Sequence, residues 1–257
     1  MRDIMADPMT NVLRTLAVCE AVSEHQPIGV RELARVMDQP RSSVQRALET
    51  LHVAGWLVRT DDARWSLSLR TAVIGGRAGE AGALRELARP TMEQLRQVSD
   101  ESVRLWVHDG DRIQLVAHMD SRQPVRSVLQ PGGSTMAVHA TAAGKAILAF
   151  LPEAELDVLL ARPLAALTPH TIVDPAALRA QLAEIRGRGW AQTFHEATQD
   201  VGAVAAPILD PAGRPLAAIA LALPMHRLTP ELTDRHVTHL LAATRDLSAQ
   251  LAGTVPG

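Results

Sequence analysis

The chain of 257 residues has one cysteine, one lysine, no excess of basic residues and no long hydrophobic run. Cys19 alone excludes an intramolecular disulfide framework and cannot build a zinc site by itself. The longest apolar run, between Pro215 and Pro224, is far too short to cross a membrane, and residues 1–10 make no signal peptide. We therefore expect a soluble, cytoplasmic protein that contacts no membrane.

The charge balance neither favours nor excludes a nucleic-acid partner. The net charge is −2, and residues 1–76 carry nine arginines and nine acidic residues. A neutral segment binds DNA weakly as a single copy, because non-specific affinity comes mainly from phosphate neutralisation. Any DNA binding therefore calls for a dimer with a few well-placed arginines.

Residues 28–56 contain the most informative pattern. Apolar residues recur at helical spacing in residues 30–37 and again in residues 44–51. Asp38-Gln39-Pro40 separates the two stretches, and proline suits the first turn of a new helix. The pattern predicts two short helices joined by a tight turn.

The second of these helices begins with a polar edge rich in hydrogen-bond donors. Arginine can present two donors to guanine, and serine or glutamine can meet bases or phosphates, so this edge suits a DNA major groove. An ordinary helical hairpin with a solvated face is the alternative. The predicted DNA contacts on this helix are Arg41, Ser42, Ser43, Gln45 and Arg46.

A predicted β-hairpin follows, with strands at residues 57–60 and 64–69 on either side of a turn. A helix-turn-helix followed by a hairpin is a winged helix, and residues 11–23 supply its leading helix. Arg59 and Arg64 on the wing could reach the DNA backbone or minor groove. They could equally be solvated hairpin charges.

Glycines are dense near residues 75–82, which indicates a domain boundary. We predict a DNA-binding domain at residues 1–76, a linker helix at residues 77–100 and an effector-binding and oligomerisation domain at residues 101–257. Pro90 implies that the linker helix is kinked there or starts later.

The last domain begins with strands on either side of Asp109-Gly110-Asp111, a strong hairpin signal. A third strand is predicted at residues 124–129, then helices, then strands again, and a long helix from Pro230. This order describes an α+β domain with helices packed on an antiparallel sheet.

These stretches together resemble the IclR family of bacterial transcription regulators over residues 11–251. The resemblance rests on the order and spacing of Pro40-Arg-Ser-Ser-Val-Gln-Arg-Ala-Leu48, His139-Ala-Thr-Ala-Ala-Gly-Lys-Ala146, Leu167-Thr-Pro-His-Thr-Ile172, Ala205-Ala-Pro207 and Arg227-Leu-Thr-Pro-Glu231. It implies a winged-helix DNA-binding domain, a linker helix and a GAF-like effector domain. It also implies dimers through the N-terminal region and tetramers through the effector domains.

We therefore expect a ligand-responsive repressor of a catabolic operon. A homodimer or homotetramer would bind double-stranded operator DNA that is a palindrome or an inverted repeat. The alternative is a metabolite-binding protein or enzyme whose N-terminal helices serve only oligomerisation. Retention on heparin or random duplex DNA at low salt separates the two hypotheses.

The expected effector site lies at the start of a helix. Thr141 can cap this helix, and the free amides of Ala142 and Ala143 would attract a carboxylate. The resemblance implies that the segment faces Val125, Val128, Thr193, Ala203, Ala220 and Ala222.

The last four of these positions depart from the family pattern. Several members that bind small acids have acidic, cysteine or serine side chains there, whereas this chain has one threonine and three alanines. We therefore expect a small organic acid or amide with a bulkier apolar, even aromatic, body. The alternative is that the alanines only pack the sheet against a helix.

Nothing in the sequence favours catalysis, a cofactor or a metal. Lys145 lacks the spaced glycines of a phosphate-binding loop, so a structural role or a subunit contact is expected for it. Ser42 and Ser43 have no nucleophile elbow around them. The histidines never fall in a zinc-binding pattern with a carboxylate or cysteine.

Overall fold

Two compact units make up the chain. The computed structural model describes residues 9–76, 79–128 and 135–254. The contacts between residues group the chain into an N-terminal unit, Met1–Gly79, and a C-terminal unit, Glu80–Gly257. The division falls within the glycine-rich segment that predicted a domain boundary.

Within residues 9–76, three helices are followed by a two-stranded antiparallel hairpin and a further helix. The elements are α1 (Thr10–His25), α2 (Val30–Val36), α3 (Arg41–Val53), β1 (Leu57–Arg59), β2 (Trp65–Leu67) and α4 (Leu69–Gly76). This order is a helix-turn-helix with a wing, so the predicted winged helix is confirmed.

A small apolar core holds the N-terminal unit together. Val22 of α1, Leu33 of α2 and Leu48 of α3 are fully buried. The hairpin joins them through Trp65, which is buried and exchanges two backbone hydrogen bonds with Ile28, at 2.9 and 3.0 Å. Burying a large apolar side chain stabilises by about 1.5–3 kcal/mol, so the wing is firmly attached to the helices.

The C-terminal unit has helices on both faces of an antiparallel sheet. Its elements are α5 (Gly79–Ser99), β3 (Ser102–Asp109), β4 (Arg112–Met119), β5 (Thr135–Ala137), α6 (Ala142–Leu148), α7 (Glu153–Leu160), α8 (Pro175–Arg188), β6 (Ala191–Phe194), β7 (Val201–Leu209), β8 (Pro215–Pro224) and α9 (Pro230–Thr254). Among the residues that the structure describes, the strands lie in the order β5-β4-β3-β8-β7-β6. The predicted α+β class is confirmed.

Successive residues of the central strands point to opposite faces of this sheet. The α9 face carries Val103, Leu105, Val204, Ile219 and Leu221, which pack with α5 and α9. The α6 face carries Arg104, Trp106, Ala205, Ala218 and Ala220 on the side of α6, α7 and α8. Because both faces are covered, β8 is apolar along almost its whole length, as buried strands are.

One strand prediction is wrong. Residues 124–128 form bends and an irregular loop instead of the expected third strand, and Leu129 lies outside the described residues. Pro124 has no N–H to donate to a ladder, and backbone oxygens of this segment accept hydrogen bonds from side chains instead. The strand that pairs with β4 on the side away from β3 is β5, at residues 135–137.

Helix α5 corresponds to the predicted linker helix. It includes Pro90 in its interior, while residues 77 and 78 lie outside the described part of the chain. Its buried residues Leu84, Ala88, Met92 and Leu95 belong to the core of the α9 face. The helix is thus built into the C-terminal unit, and its role as a spacer stays a prediction.

Candidate functional site

Backbone geometry fixes the turn between α2 and α3. Asp38 adopts the left-handed conformation with φ of 49°, and the amide of Gln39 donates to the carbonyl of Ala34 at 3.0 Å. Pro40 directly precedes α3, where the missing N–H breaks no helical hydrogen bond. The helix then buries one face, which consists of Val44, Ala47, Leu48 and Leu51.

The opposite edge of α3 carries the predicted DNA contacts. Arg41, Ser42 and Arg46 are exposed, whereas Ser43 and Gln45 are half-buried. The side-chain Nε2 of Gln45 donates a hydrogen bond to the carboxylate Oε1 of Glu49 at 2.6 Å. The ion pairs among residues 9–76 all involve Arg64, so the guanidinium groups at the start of α3 pair with no described carboxylate.

The two arginines of the wing have different surroundings. Arg59 is exposed, and its guanidinium carbon lies 5.7 Å from the centroid of the Trp65 ring. Arg64 donates to the carbonyl oxygen of Pro27 at 2.7 Å and pairs with Glu32 at 3.6 Å. Arg64 therefore connects the wing to the helices, whereas the guanidinium of Arg59 donates to no group among residues 9–76.

A cavity of about 260 Å³ lies on the α6 face of the sheet. Most of the predicted effector contacts meet there, namely Val128, Thr141, Ala142, Ala143, Thr193, Ala203, Ala220 and Ala222. Val125 is the exception and does not line the cavity. Its side chain is 59% exposed, and its carbonyl oxygen accepts a hydrogen bond from Arg227 at 2.8 Å.

Strand register explains why residues so distant in sequence meet. Thr193 pairs with Ala203, which in turn pairs with Ala222. Two residues along β8, Ala220 pairs with Arg104 of β3. Alanine side chains at three of these positions leave open space between the sheet and α6, which larger residues would fill.

Helix α6 begins at the wall of the cavity. The Thr141 hydroxyl oxygen accepts the amide of Gly144 at 3.0 Å, which caps the helix as expected. A Cβ on Gly144 would lie 1.9 Å from the carbonyl oxygen of Val138, so only glycine allows this packing. The helix has seven residues, and an anion site at its amides stays a prediction.

Sequence reasoning missed the charged and aromatic part of the cavity wall. Arg104 and Trp106 of β3 are both buried and line it. Nη2 of Arg104 donates to the backbone oxygen of Ser127 at 3.2 Å and to its hydroxyl at 2.9 Å. Burial lowers the pKa of Arg104 to about 10, so it remains charged at neutral pH. The available signal was the alternation of residues 102–108, which puts an arginine and a tryptophan on one face.

Residues 197–201 line one side of the cavity. Glu196, the residue just before them, forms a buried ion pair with Lys145. Nζ of Lys145 donates to both Glu196 oxygens at 2.6 Å and to the Gln181 oxygen at 2.7 Å. Burial lowers the pKa of Lys145, and its contact with Glu196 opposes this shift. Lys145 thus connects α6 and α8 to the loop beside the cavity.

Another ion pair holds the segment that contains Ser127 and Val128. Arg227 donates from Nε and Nη2 to the two oxygens of Glu101, both at 2.7 Å. A third donor, Nη1, reaches the backbone of Val125. The segment is therefore fixed beside the cavity although it forms no strand.

No group of three or more His, Cys, Asp or Glu side chains is placed to hold a metal ion in residues 9–76, 79–128 or 135–254. In the same ranges, no helix combines the length and apolarity needed to span a bilayer. His236 of α9 is fully buried, and neither ring nitrogen has a hydrogen-bond partner within the described structure.

Two family models match the chain. The model described as "IclR helix-turn-helix domain" matches residues 11–61. The model described as "Bacterial transcriptional regulator IclR C-terminal" matches residues 80–249. The second match spans more than half of the chain, and together they include α3 and the cavity.

Individual proteins are similar over nearly the whole chain. The Pca regulon regulatory protein of Pseudomonas putida is 30% identical over 250 residues, which cover 96% of this chain and 86% of that protein. The transcriptional repressor IclR of Escherichia coli K12 is 26% identical over 247 residues, which cover 95% of this chain and 90% of that protein.

A solved structure of an IclR homolog from Microbacterium hydrocarbonoxydans, complexed with 4-hydroxybenzoate, is similar in fold. Its TM-score is 0.76 at 24% identity, and the match covers 93% of this chain and 100% of that chain. The similarity therefore extends beyond the sequence motifs to the arrangement of helices and strands.

Proposed function

Because this chain belongs to the IclR family of bacterial transcription regulators, we propose that an effector bound in the cavity changes the affinity of its winged helix for operator DNA. A ligand acts in this way only if its own affinity differs between the DNA-competent and incompetent arrangements. The observation that carries the proposal is the open, alanine-lined cavity in a chain whose α3 exposes two arginines that pair with no described carboxylate.

On the DNA side, we assign base reading in the major groove to Arg41, Ser42, Ser43, Gln45 and Arg46. Their position at the start of α3 supports this, because a recognition helix contacts bases with its N-terminal residues. Arg59 would contact the backbone or the minor groove. Arg64 shares its donors with Pro27 and Glu32, so we expect its DNA contact to be the weaker of the two.

We propose that two copies bind together to a palindromic or inverted-repeat operator. Residues 1–76, with nine arginines and nine acidic residues, provide little non-specific attraction for DNA, so useful affinity needs two recognition helices. Helix α1 supports self-association because Val12, Leu13 and Leu16 are 47–55% exposed, and exposed apolar clusters mark interaction sites. The assembly is a homodimer or homotetramer.

The regulated process is proposed to be catabolic, with the protein acting as a cytoplasmic repressor and not as an enzyme. The E. coli relative bears the name repressor, which supports repression over activation as the mode of regulation. The lysine that could suggest catalysis, Lys145, is enclosed and paired with Glu196.

The proposed effector is a small organic acid or amide with an apolar body. The cavity volume of about 260 Å³ lies just below the range of roughly 300–1,000 Å³ usual for small-molecule sites, which favours one ring or a short branched chain. Trp106 and the alanines offer apolar contacts. The 4-hydroxybenzoate held by the Microbacterium relative belongs to this chemical class.

Replacing Arg46 with alanine tests the DNA assignment. Duplexes selected by the wild-type protein from a random pool would serve as the specific probe, and footprinting should show two half-sites. A bidentate base contact provides about 1–3 kcal/mol of discrimination, so Arg46→Ala should weaken specific binding roughly tenfold or more. Its effect on random duplex DNA should be much smaller.

Arg14→Ala is the matched control, because Arg14 is an exposed arginine of α1 and its loss changes the charge equally. It should leave specific affinity nearly unchanged. If the wild-type protein selects no sequence, the proposed DNA function fails. If Arg46→Ala and Arg14→Ala behave alike, the placement of the recognition residues is wrong.

A further inference from the structure

Arg104 is a buried charged side chain that uses only part of its guanidinium for hydrogen bonds within the described structure. It is 8% exposed and lines the cavity from the middle of β3. Its hydrogen bonds within the described structure come from Nη2 alone, which donates to Ser127. Nε and Nη1 therefore donate to no described group.

Other buried cations of the C-terminal unit have carboxylate partners. Lys145 pairs with Glu196 at 2.6 Å, and Arg96 pairs with Glu93. Among the ion pairs of residues 79–128 and 135–254, none includes Arg104, and the carboxylate that most influences it, Asp120, is exposed.

Burying a charge without a counter-charge costs free energy. Arginine is also the side chain best suited to bind a carboxylate, because its planar fork can donate two parallel hydrogen bonds. An arginine that keeps two donor groups free at the wall of a cavity therefore has the chemistry of an anion receptor.

We propose that Arg104 binds the carboxylate of the effector and that Trp106, two residues along the same strand face, contacts its apolar body. The ligand class is thereby narrowed to compact monocarboxylates, with matched neutral amides as poor substitutes. Ser127 orients the guanidinium through Nη2. This inference rests on the effector function proposed above.

Calorimetry on the full-length protein tests the assignment with three acids and their amides: benzoate, 4-hydroxybenzoate and isovalerate against benzamide, 4-hydroxybenzamide and isovaleramide. Arg104→Met keeps an unbranched apolar chain of about the length of the arginine stem and removes the guanidinium with its charge. We expect it to weaken binding of the best acid by roughly thirtyfold or more and to change amide binding less than about twofold. The acid affinity of Arg104→Lys should lie between those of the wild type and Arg104→Met, because a point charge replaces the planar fork of the guanidinium.

Arg126→Met is the matched control. Arg126 is exposed, lies one residue before Ser127 and does not line the cavity. It should leave acid binding unchanged within about twofold, since an exposed arginine contributes only screened attraction.

A purely structural role for Arg104 has a different signature. If Arg104 is retained for a ligand, Arg104→Met without ligand should melt at the same temperature as the wild type or higher, because an uncompensated charge is gone. Saturating benzoate, or the best acid of the panel, should raise the melting temperature of the wild type and not of Arg104→Met. A fall in the ligand-free melting temperature of Arg104→Met of more than about 4 °C, the shift of roughly 1 kcal/mol, would overturn the proposal.

Failure of the inference and failure of the function can be told apart. If acids and amides bind equally to the wild type and to Arg104→Met, while Ala220→Leu abolishes both, the cavity is the effector site and Arg104 is not its carboxylate receptor. If no acid or amide binds the wild type, the effector proposal fails and the role of Arg104 fails with it.

Discussion

The two faces of the central sheet are built from the same strands but from very different side chains. On β8, Ile219 and Leu221 point to the α9 face, whereas Ala220 and Ala222 point to the α6 face. The α9 face is packed with branched aliphatic residues and the helices α5 and α9. The α6 face combines alanines with a buried arginine and leaves a cavity.

This difference separates stability from binding at the level of single residues. Large apolar side chains removed from water stabilise the fold, at about 25 cal/mol for each Å² of apolar surface buried. Small side chains contribute little of this free energy but create the space that a ligand needs. Substitutions on one face should therefore change a property that substitutions on the other face leave alone.

The largest effect is expected for Leu221→Ala. Leu221 is fully buried on the α9 face, and removing such a side chain costs the transfer free energy plus a cavity term, about 3 kcal/mol. Urea unfolding should show this loss, while affinity for the best acid stays within about twofold. Leu216→Ala on the same strand is the control, because Leu216 is 42% exposed and its loss should cost less than about 1 kcal/mol.

A comparable loss of stability and of acid affinity in Leu221→Ala would contradict the separation of the two faces. It would mean that the cavity geometry depends on the packing behind the sheet.

An intermediate effect on the free energy of unfolding is expected when the pH is lowered, because His236 of α9 is buried. Burial, with the nearby charges of Arg235 and His239, lowers the pKa of His236 to about 4, from an ordinary value of 6.5. As the pH falls below about 6.5, the unfolded chain takes up the proton first. Stability is therefore complete above this pH and is lost progressively between about 6.5 and 4, by about 2 kcal/mol after allowance for solvent screening.

Urea midpoints measured from pH 4 to 7.5 check this expectation. His236→Leu should flatten the part of the pH dependence that is due to this imidazole, and His226→Gln should not, because His226 is exposed and is not among the charges that act on His236. Equal profiles for the wild type and His236→Leu would show that the acid sensitivity comes from elsewhere.

The parts of the molecule that follow from local sequence were predictable. The helix-turn-helix, the wing and the hairpin at Asp109-Gly110-Asp111 each depend on neighbouring residues and on turn chemistry. Most of the residues that the resemblance implied for the effector site line one cavity, and their role in binding stays a prediction. The strand predicted at residues 124–129 was wrong, because the sequence does not reveal that side chains donate hydrogen bonds to the backbone oxygens of this segment.

The alternation of residues 102–108 places Arg104 and Trp106 on one face of β3, but it does not reveal that Arg104 is buried. In an alternating stretch, an arginine is expected to face water. Its burial follows from the pairing of β3 with β8, a strand more than 100 residues later in the sequence, and from helices on both faces of the sheet. Long-range pairing of this kind has no local signal.

The smallest effect on stability is expected for Ala220→Leu, although its effect on binding should be large. Ala220 lines the cavity between Arg104 and Ala205, so the larger side chain can enter open space instead of displacing packed atoms. The free energy of unfolding should change by less than about 1 kcal/mol, and DNA affinity without ligand should stay the same. Calorimetry should show no binding of the acid that the wild type prefers.

Ala218→Leu is the matched control for this prediction. Ala218 lies on the same strand and the same face, but it is fully buried in the core and does not line the cavity. The same added atoms must therefore displace packed neighbours there, which costs about 1–3 kcal/mol. If Ala220→Leu is as destabilising as Ala218→Leu, the alanines serve only to pack the sheet against α6. If it is stable but still binds the acid, the ligand lies outside this cavity.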